Sequence, residues 1–263
     1  MHPAELLRQA RLKEYPLEPL HGGDIGQVWR AGPYVVKTHP SPPAGMFQAE
    51  ARGLFALSQA GMRVPEMYWA SNEGLVMEYL PPGEPDWQKL ARMLAGLHKL
   101  RPPGYGWDDR VFLGRFELPS GTQSDWQSFW VEKRIQPLLE ATWRQLGPLG
   151  PRVEALFKEP LPQEGPALIH GDLWQGNVRH AQGGPALLDP SVWWGERAVD
   201  LAMMTLFGGF PAPFWKVYRV LYPIPPEIER ALPHYQVYYV LVHVLFFGPR
   251  YLPLLLRTLG AAR

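Results

Sequence analysis

Between Leu168 and Met203 the sequence reads LIHGDLWQGNVRHAQGGPALLDPSVWWGERAVDLAM, with carboxylates, imidazoles, an amide and glycines set between short apolar runs. His170, Asp172 and Asn177 have the spacing H-x-D-x-x-x-x-N. In phosphoryl transfer such an Asp accepts the proton of an attacking hydroxyl, and the Asn, one loop turn later, offers an oxygen to Mg²⁺. Gly171 and Gly176 give the backbone freedom to turn both side chains toward one point. Asp189 follows the apolar run Ala186-Leu187-Leu188, where a second Mg²⁺-binding carboxylate would sit. Taken singly, Asp172 reads as a turn residue or helix cap and Asp189 as an Asp-Pro turn. Taken with His170 and Asn177, they read as a catalytic loop and a metal-binding turn.

Upstream, Lys37 ends the strand-like YVVK, the setting of a lysine that grips the α- and β-phosphates of ATP. Glu50, thirteen residues later, is placed to fix it. Either could instead be a solvated surface charge, and the downstream motif decides for the pair. Gly22 and Gly23 lie in a glycine-rich turn able to bring backbone N–H groups to phosphate oxygens. It is not a G-x-G-x-x-G, and Gly-Gly is common in hairpins. Glu78, Tyr79 and Leu80 precede a Pro-Gly connector, where an adenine would meet backbone groups.

The elements that must hold these groups follow from periodicity. Residues 1–16 read as a short amphipathic helix. Strands are expected around Val28-Trp29, over 34–36, 66–70 and 75–79, with a helix from about Phe47 to a stop at Gly61. LPPGEP, residues 80–85, marks a boundary between a unit over 1–80 and another over 81–263. Beyond it the spacing predicts helices over 87–100 and 124–146. Three short strands fall between Ala167 and Leu188. Helices then run from Ala198 to the end, separated by Pro211, Pro213, Pro225, Pro226 and Gly248-Pro249. The order predicts an α+β, two-lobed fold: a small antiparallel sheet with one helix, then a larger, mainly helical lobe.

Composition narrows the function. A net charge of +1 gives no reason to expect a nucleic-acid partner. The absence of cysteine excludes disulfides, thiolate catalysis and cysteine-held zinc. The N-terminal stretch has no apolar signal core, and the most apolar run, residues 235–248, is shorter than the ~20 residues a bilayer span needs. A soluble, cytoplasmic protein without a membrane partner is therefore expected; oligomeric state is not legible.

HGDLWQGN, DPSVWWGERAVDLAMMTLFGGFP and the upstream GGDIG, VVK and GMFQAEARGL together resemble the fructosamine kinase (ketosamine-3-kinase) family, relatives of aminoglycoside and choline kinases, over nearly the whole chain. The resemblance implies a protein-kinase-like fold and Mg·ATP-dependent phosphorylation of a ketosamine or glycated amine at O3 of the sugar, in deglycation. It makes Asp172 the base, Asn177 and Asp189 the Mg²⁺ ligands, and Lys37 with Glu50 the ATP-orienting pair. Asp200 would buttress the catalytic loop, and Trp174 would be the platform for the sugar's apolar face. The chain departs from the family pattern at Gly26, where a polar residue is usual, at Ala198 in place of Glu, and at Trp193-Trp194 in place of Tyr. Ala198 and the two tryptophans are expected to reshape the sugar pocket.

Three other readings compete. A phosphoester hydrolase would use His170, Asp172, His180 and Asp189 as a metal cluster, but it leaves Lys37 and Glu50 without a role. A kinase of the same superfamily could act on an aminoglycoside, choline or homoserine. The aromatic, apolar C-terminal segment lacks the acidic cluster an aminoglycoside calls for; it reads as core, with His243 packed rather than catalytic. A non-catalytic ATP-binding module would not require all five kinase residues.

Overall fold

The computed structural model describes residues 1–20 and 26–262. Helix α1 (Pro3–Gln9) precedes strands β1 (Leu17–Leu20), β2 (Gln27–Ala31) and β3 (Tyr34–Thr38). Helix α2 (Met46–Gln59) follows, then β4 (Met67–Ala70) and β5 (Gly74–Glu78). The five strands make one antiparallel sheet, ordered β1-β2-β3-β5-β4.

Strand alternation decides what each face holds. Val36 and Val76 face α1 and pack with Leu6 and Leu7. Val35, Leu75 and Met77 face α2 and pack with Phe47 and Leu54. Lys37, two residues beyond Val35, therefore points to the α2 side. On α2 the apolar stripe is Phe47, Leu54 and Leu57. Glu50 falls inside that stripe, three residues after Phe47 and four before Leu54, so the helix turns an acid inward.

The connector is stitched to the next unit. Leu80 accepts from Arg179 Nε at 3.0 Å, Gly83 N–H donates to the His180 carbonyl at 3.0 Å, and Pro82 bridges Ala181. A Cβ on Gly83 would stand 2.5 Å from the Ala181 backbone, which explains the glycine. Helix α3 (Trp87–Leu97) then starts at an Asp86 cap that accepts from Lys89 N–H at 2.8 Å.

Four strands unforeseen in the sequence follow: β6 (Tyr105–Trp107), β7 (Val111–Leu113), β8 (Phe116–Leu118) and β9 (Gly121–Gln123). Each has three residues, too few for alternation to show. β7 and β8 pair as a hairpin. The helix expected over 124–146 is broken into α4 (Trp126–Trp130), a π turn (Val131–Ile135) and α5 (Gln136–Leu146). Pro137 has no N–H to give the Lys133 carbonyl, and that carbonyl accepts from Arg134 Nη1 at 2.9 Å instead.

After α6 (Gly150–Leu156) come the three expected strands, β10 (Ala167–Ile169), β11 (Val178–Ala181) and β12 (Gly184–Leu187), and an unforeseen β13 (Trp193–Gly195). β10, β13, β6 and β9 form a second sheet in that order. Helices α7 (Ala198–Leu206), α8 (Ala212–Leu221), α9 (Pro226–Phe247) and α10 (Leu252–Ala261) complete the chain; the expected Pro211 and Pro213 start α8, Pro225 and Pro226 start α9, and Gly248-Pro249 fall in a 3₁₀ turn before α10. α9 is 22 residues, longer than the apolar run read from sequence and long enough to cross a bilayer. Here it packs against α5, α7 and α10 as a core helix. Trp193 is correspondingly buried in a stack with Trp126, Phe129 and Trp130, so it belongs to the core and does not line a sugar pocket.

Candidate active site

A cleft of about 480 Å³ opens between the first sheet with α2 and the helical unit. Lys37, Glu50, Asp172, Trp174, Asn177 and Asp189 all line it. These residues come from β3, α2, the β10–β11 loop and the end of β12, so the fold unites groups up to 152 positions apart in sequence.

Lys37 Nζ bonds Glu50 Oε1 at 2.6 Å and also Asp189 Oδ1, tying the small sheet to the C-terminal unit. Burial alone would lower the Lys37 ammonium, but Asp189 and then Glu50 outweigh it and hold it above its ordinary range. Glu50 is raised, first by burial, with Lys37 opposing. Lys37 is thus a permanent cation held by two carboxylates, as a phosphate-orienting lysine requires. Asp189 has φ of +53°, a left-handed backbone that Asp tolerates better than most side chains. Helix α2 approaches this turn closely: a Cβ on Gly53 would lie 3.1 Å from Pro190.

The β10–β11 loop hangs on Asp200. Its two carboxylate oxygens accept from the N–H groups of His170 (2.8 Å) and Gly171 (2.9 Å). His98 Nε2 stands 3.2 Å from the same group, and His98 Nδ1 is 2.7 Å from the Tyr218 hydroxyl. Burial lowers His98, so the neutral ring carries its proton on Nε2 toward Asp200. His170 is neutral for the same reason. Its Nδ1 accepts from Asp172 N–H at 3.3 Å and its Nε2 faces the Leu188 carbonyl at 2.9 Å. Both ring nitrogens are thereby used, leaving His170 none for the metal cluster of a hydrolase.

Gly171 has φ of +79°, its carbonyl accepts from the Tyr239 hydroxyl at 2.9 Å, and a Cβ there would fall 1.9 Å from the Ser191 carbonyl oxygen. Gly171→Ala is expected to lower unfolding free energy by ~3 kcal/mol, as strain and overlap act together. Chemical denaturation measures this, and a loss under ~1 kcal/mol would show that the loop relaxes freely.

Asp172 lies half-buried at the floor of the cleft. Burial, then the charges of Asp189 and Asp200, push its carboxyl up to about 7, against the stabilising bond from Asn177. Asn177 Nδ2 donates to the Asp172 carbonyl at 2.8 Å and to Oδ2 at 3.3 Å. With its nitrogen committed, Asn177 presents Oδ1 as the oxygen for a cation. Asp189 and Asn177 together form a hard, two-side-chain oxygen set of the kind that holds Mg²⁺ alongside substrate phosphates. Among the described residues no cluster of three His, Cys, Asp or Glu forms an all-protein metal cage.

The remaining expectations divide. Gly22 and Gly23 lie outside the described residues. Glu78 and Leu80 sit at the connector but do not line the cleft. Glu78 N–H donates to the Glu66 carbonyl at 2.8 Å, and its carboxylate accepts from Glu66 N–H at 3.2 Å. Gly26 lines the cleft, where a Cβ would come 2.9 Å from the Thr38 carbonyl. Ala198 is fully buried, and two residues before it Glu196 is a buried acid, accepting from Tyr105 (2.7 Å), Glu164 N–H and Gly165 N–H (both 2.9 Å). Trp174 is 42% exposed and its indole covers Gly176, where a Cβ would fall 2.2 Å from the ring. Sequence reasoning missed the far wall: Trp107, Phe207, His243, Phe246, Phe247 and Tyr251 line the cleft. His243 is packed as expected, but against a wall that faces the cleft.

The sequence model of the fructosamine kinase family matches residues 3–261. A Thermus thermophilus protein named "Probable ketoamine kinase" is 58% identical over 263 residues, spanning 100% of both chains. One of the same name from Enterococcus faecium is 38% identical over 251 residues, 89% of this chain and 90% of the relative. A crystal structure from Thermobifida fusca, named as a fructosamine-3-kinase, superposes with a TM-score of 0.87 at 28% identity, covering 99% and 97% of the two chains. The gentamicin complex of an aminoglycoside phosphotransferase superposes at 0.68 with 14% identity, over 98% and 94%, which shows a shared protein-kinase-like fold.

Proposed function

The chain belongs to the fructosamine kinase family, and on that premise we propose that it transfers the γ-phosphoryl group of ATP to the O3 hydroxyl of a ketosamine. The observation that carries the site assignment is the convergence of Lys37, Glu50 and Asp189 in one cleft with the raised carboxyl of Asp172. Asp172 takes the proton of the attacking hydroxyl. Lys37, held by Glu50, aligns the phosphates; Asn177 Oδ1 and the Asp189 carboxylate hold Mg²⁺. The ion, when bound, neutralises charge developing on the phosphate oxygens. Trp174 offers its exposed ring to the sugar's apolar face. The chain's work is thus positioning and charge compensation, with no covalent intermediate. The product's role is deglycation, in the cytoplasm.

The test is ADP release with Mg·ATP against a fructosamine, a ribulosamine, an aminoglycoside, choline and homoserine, with phosphorus NMR locating the ester. Ketosamine-dependent turnover at O3 is expected. Turnover confined to another acceptor would overturn the substrate while keeping the kinase.

The acid limb of activity should follow Asp172. At limiting Mg·ATP, kcat/KM for ATP is expected to rise with pH through an inflection near 7, as the base loses its proton. At saturating Mg·ATP the limb moves to lower pH, because the ion neutralises Asp189, the largest electrostatic cause of the shift after burial. A limb that stays in place would remove Asp189 from the metal site.

A further inference from the structure

The far wall of the cleft has a chemistry that phosphoryl transfer does not explain. It begins at the catalytic loop, where Tyr239 on α9 donates to the Gly171 carbonyl beside the base. From there the cleft-facing side of α9 steps outward at helical spacing through His243 to Phe246 and Phe247. Seven to eight residues of helix place those two rings roughly 10–12 Å along the axis from Tyr239. The His243 ring lies 4.9 Å from Phe207, 4.9 Å from Tyr251 and 5.7 Å from Phe247, so the wall is a continuous aromatic surface.

Its charge is equally defined. Among the described lining residues the only carboxylates are Glu50, Asp172 and Asp189, all at the phosphoryl-transfer end. Two exposed cations lie against the outer rings: Arg115 is 5.6 Å from the Phe246 centroid, and Arg250 is 5.1 Å from Phe247 and 5.4 Å from Tyr251. Neither has an ion-pair partner among the described residues. A sugar hydroxyl at Asp172 leaves the acceptor's amine substituent free to lie along this wall. The wall offers apolar area, and the guanidiniums of Arg115 and Arg250 already occupy the outer ring positions that would otherwise attract an ammonium.

Resting on the reading of the site as a ketosamine kinase, we infer that the wall selects the amine half of the substrate: it favours ketosamines whose nitrogen carries an aromatic or bulky aliphatic group and disfavours those carrying a second ammonium. Burying one such group against the rings corresponds to a gain of about tenfold or more in kcat/KM.

Three fructosamines sharing one sugar test this: the adducts of benzylamine, methylamine and 1,5-diaminopentane. The benzylamine adduct is expected to exceed the methylamine adduct about tenfold in kcat/KM, with the diamine adduct lowest. Phe247→Ala should shrink the benzyl-to-methyl ratio. Arg250→Glu, a surface change, should raise the diamine-to-methyl ratio, which loss of packing alone would not do. Equal kcat/KM across the three, or preference for the diamine adduct, overturns the inference and leaves the ketosamine reading intact. Turnover of a non-ketosamine acceptor with none of the three overturns both.

Discussion

Asp172→Asn is expected to lower kcat at pH 8 by about 10²- to 10⁴-fold, the usual worth of a general base, while Mg·ATP binds within a few-fold of the parent. The Lys37–Glu50 and Lys37–Asp189 pairs, proposed to serve the phosphates and the metal, are untouched by the change, and Asn preserves the shape of the floor. The same substitution has an opposite effect on the fold. The folded-state carboxyl of Asp172 is raised to about 7, above its value in an unfolded chain, so its ionisation costs stability. That cost is absent below about pH 4, grows as pH rises toward 7 and is complete above it. Asn removes it. With solvent screening of a half-exposed group taken into account, the variant should be more stable by ~1 kcal/mol at pH 8 and equal to the parent below pH 4. Denaturation at the two pH values, with single-turnover assays, measures both effects. Near-parental turnover would remove Asp172 from the base role, and a variant less stable at pH 8 would contradict the account of its environment.

Asp200→Asn is expected to be the most destabilising conservative change in the chain. The parent carboxylate is fully buried and accepts from two backbone N–H groups and His98. An amide of the same size turns an N–H₂ donor toward at least one of those donors. Breaking a buried charge network of this kind costs ~3–5 kcal/mol, on the order of 10 °C in Tm for a chain of this size. Activity should fall with it, because the residues released, His170 and Gly171, precede Asp172 directly. Thermal unfolding with and without Mg·ATP checks this. A Tm within about 2 °C of the parent would mean that the loop is held by Tyr239 and the sheet instead.

How much of this was legible in the sequence depended on the length of each signal. Lys37, Glu50, Asp172, Asn177 and Asp189 were readable because each sits at a fixed distance from an element boundary that apolar periodicity marks. The role of Asp200 in buttressing the catalytic loop came from the family resemblance alone; nothing local to Asp200 names the two N–H groups it meets, those of His170 and Gly171, because tertiary packing 29–30 residues away makes that contact. Trp193 and Trp194 were expected at the pocket because they replace the family's Tyr, yet strand alternation on β13 turns Trp193 into the core, and Trp194 does not line the cleft either. The run from Tyr235 to Gly248 was read as core because an apolar helix face is the same whether it meets another helix or a cleft. The β7–β8 hairpin was missed because three-residue strands carry no period, and its stability comes from what it touches.

That hairpin also ties the two sides of the cleft to each other. Asp109, at its base, pairs with Arg52 of α2 at 2.5 Å, and β7 itself packs on α2, while Arg115 at its tip lies over Phe246 of α9. It therefore spans the cleft as a splint fixed to both sides. Parting the two sides of the cleft would break either the Arg52–Asp109 pair or the Arg115–Phe246 contact, so Asp109→Ala is expected to loosen the join between α2 and the hairpin while leaving Arg115 over Phe246.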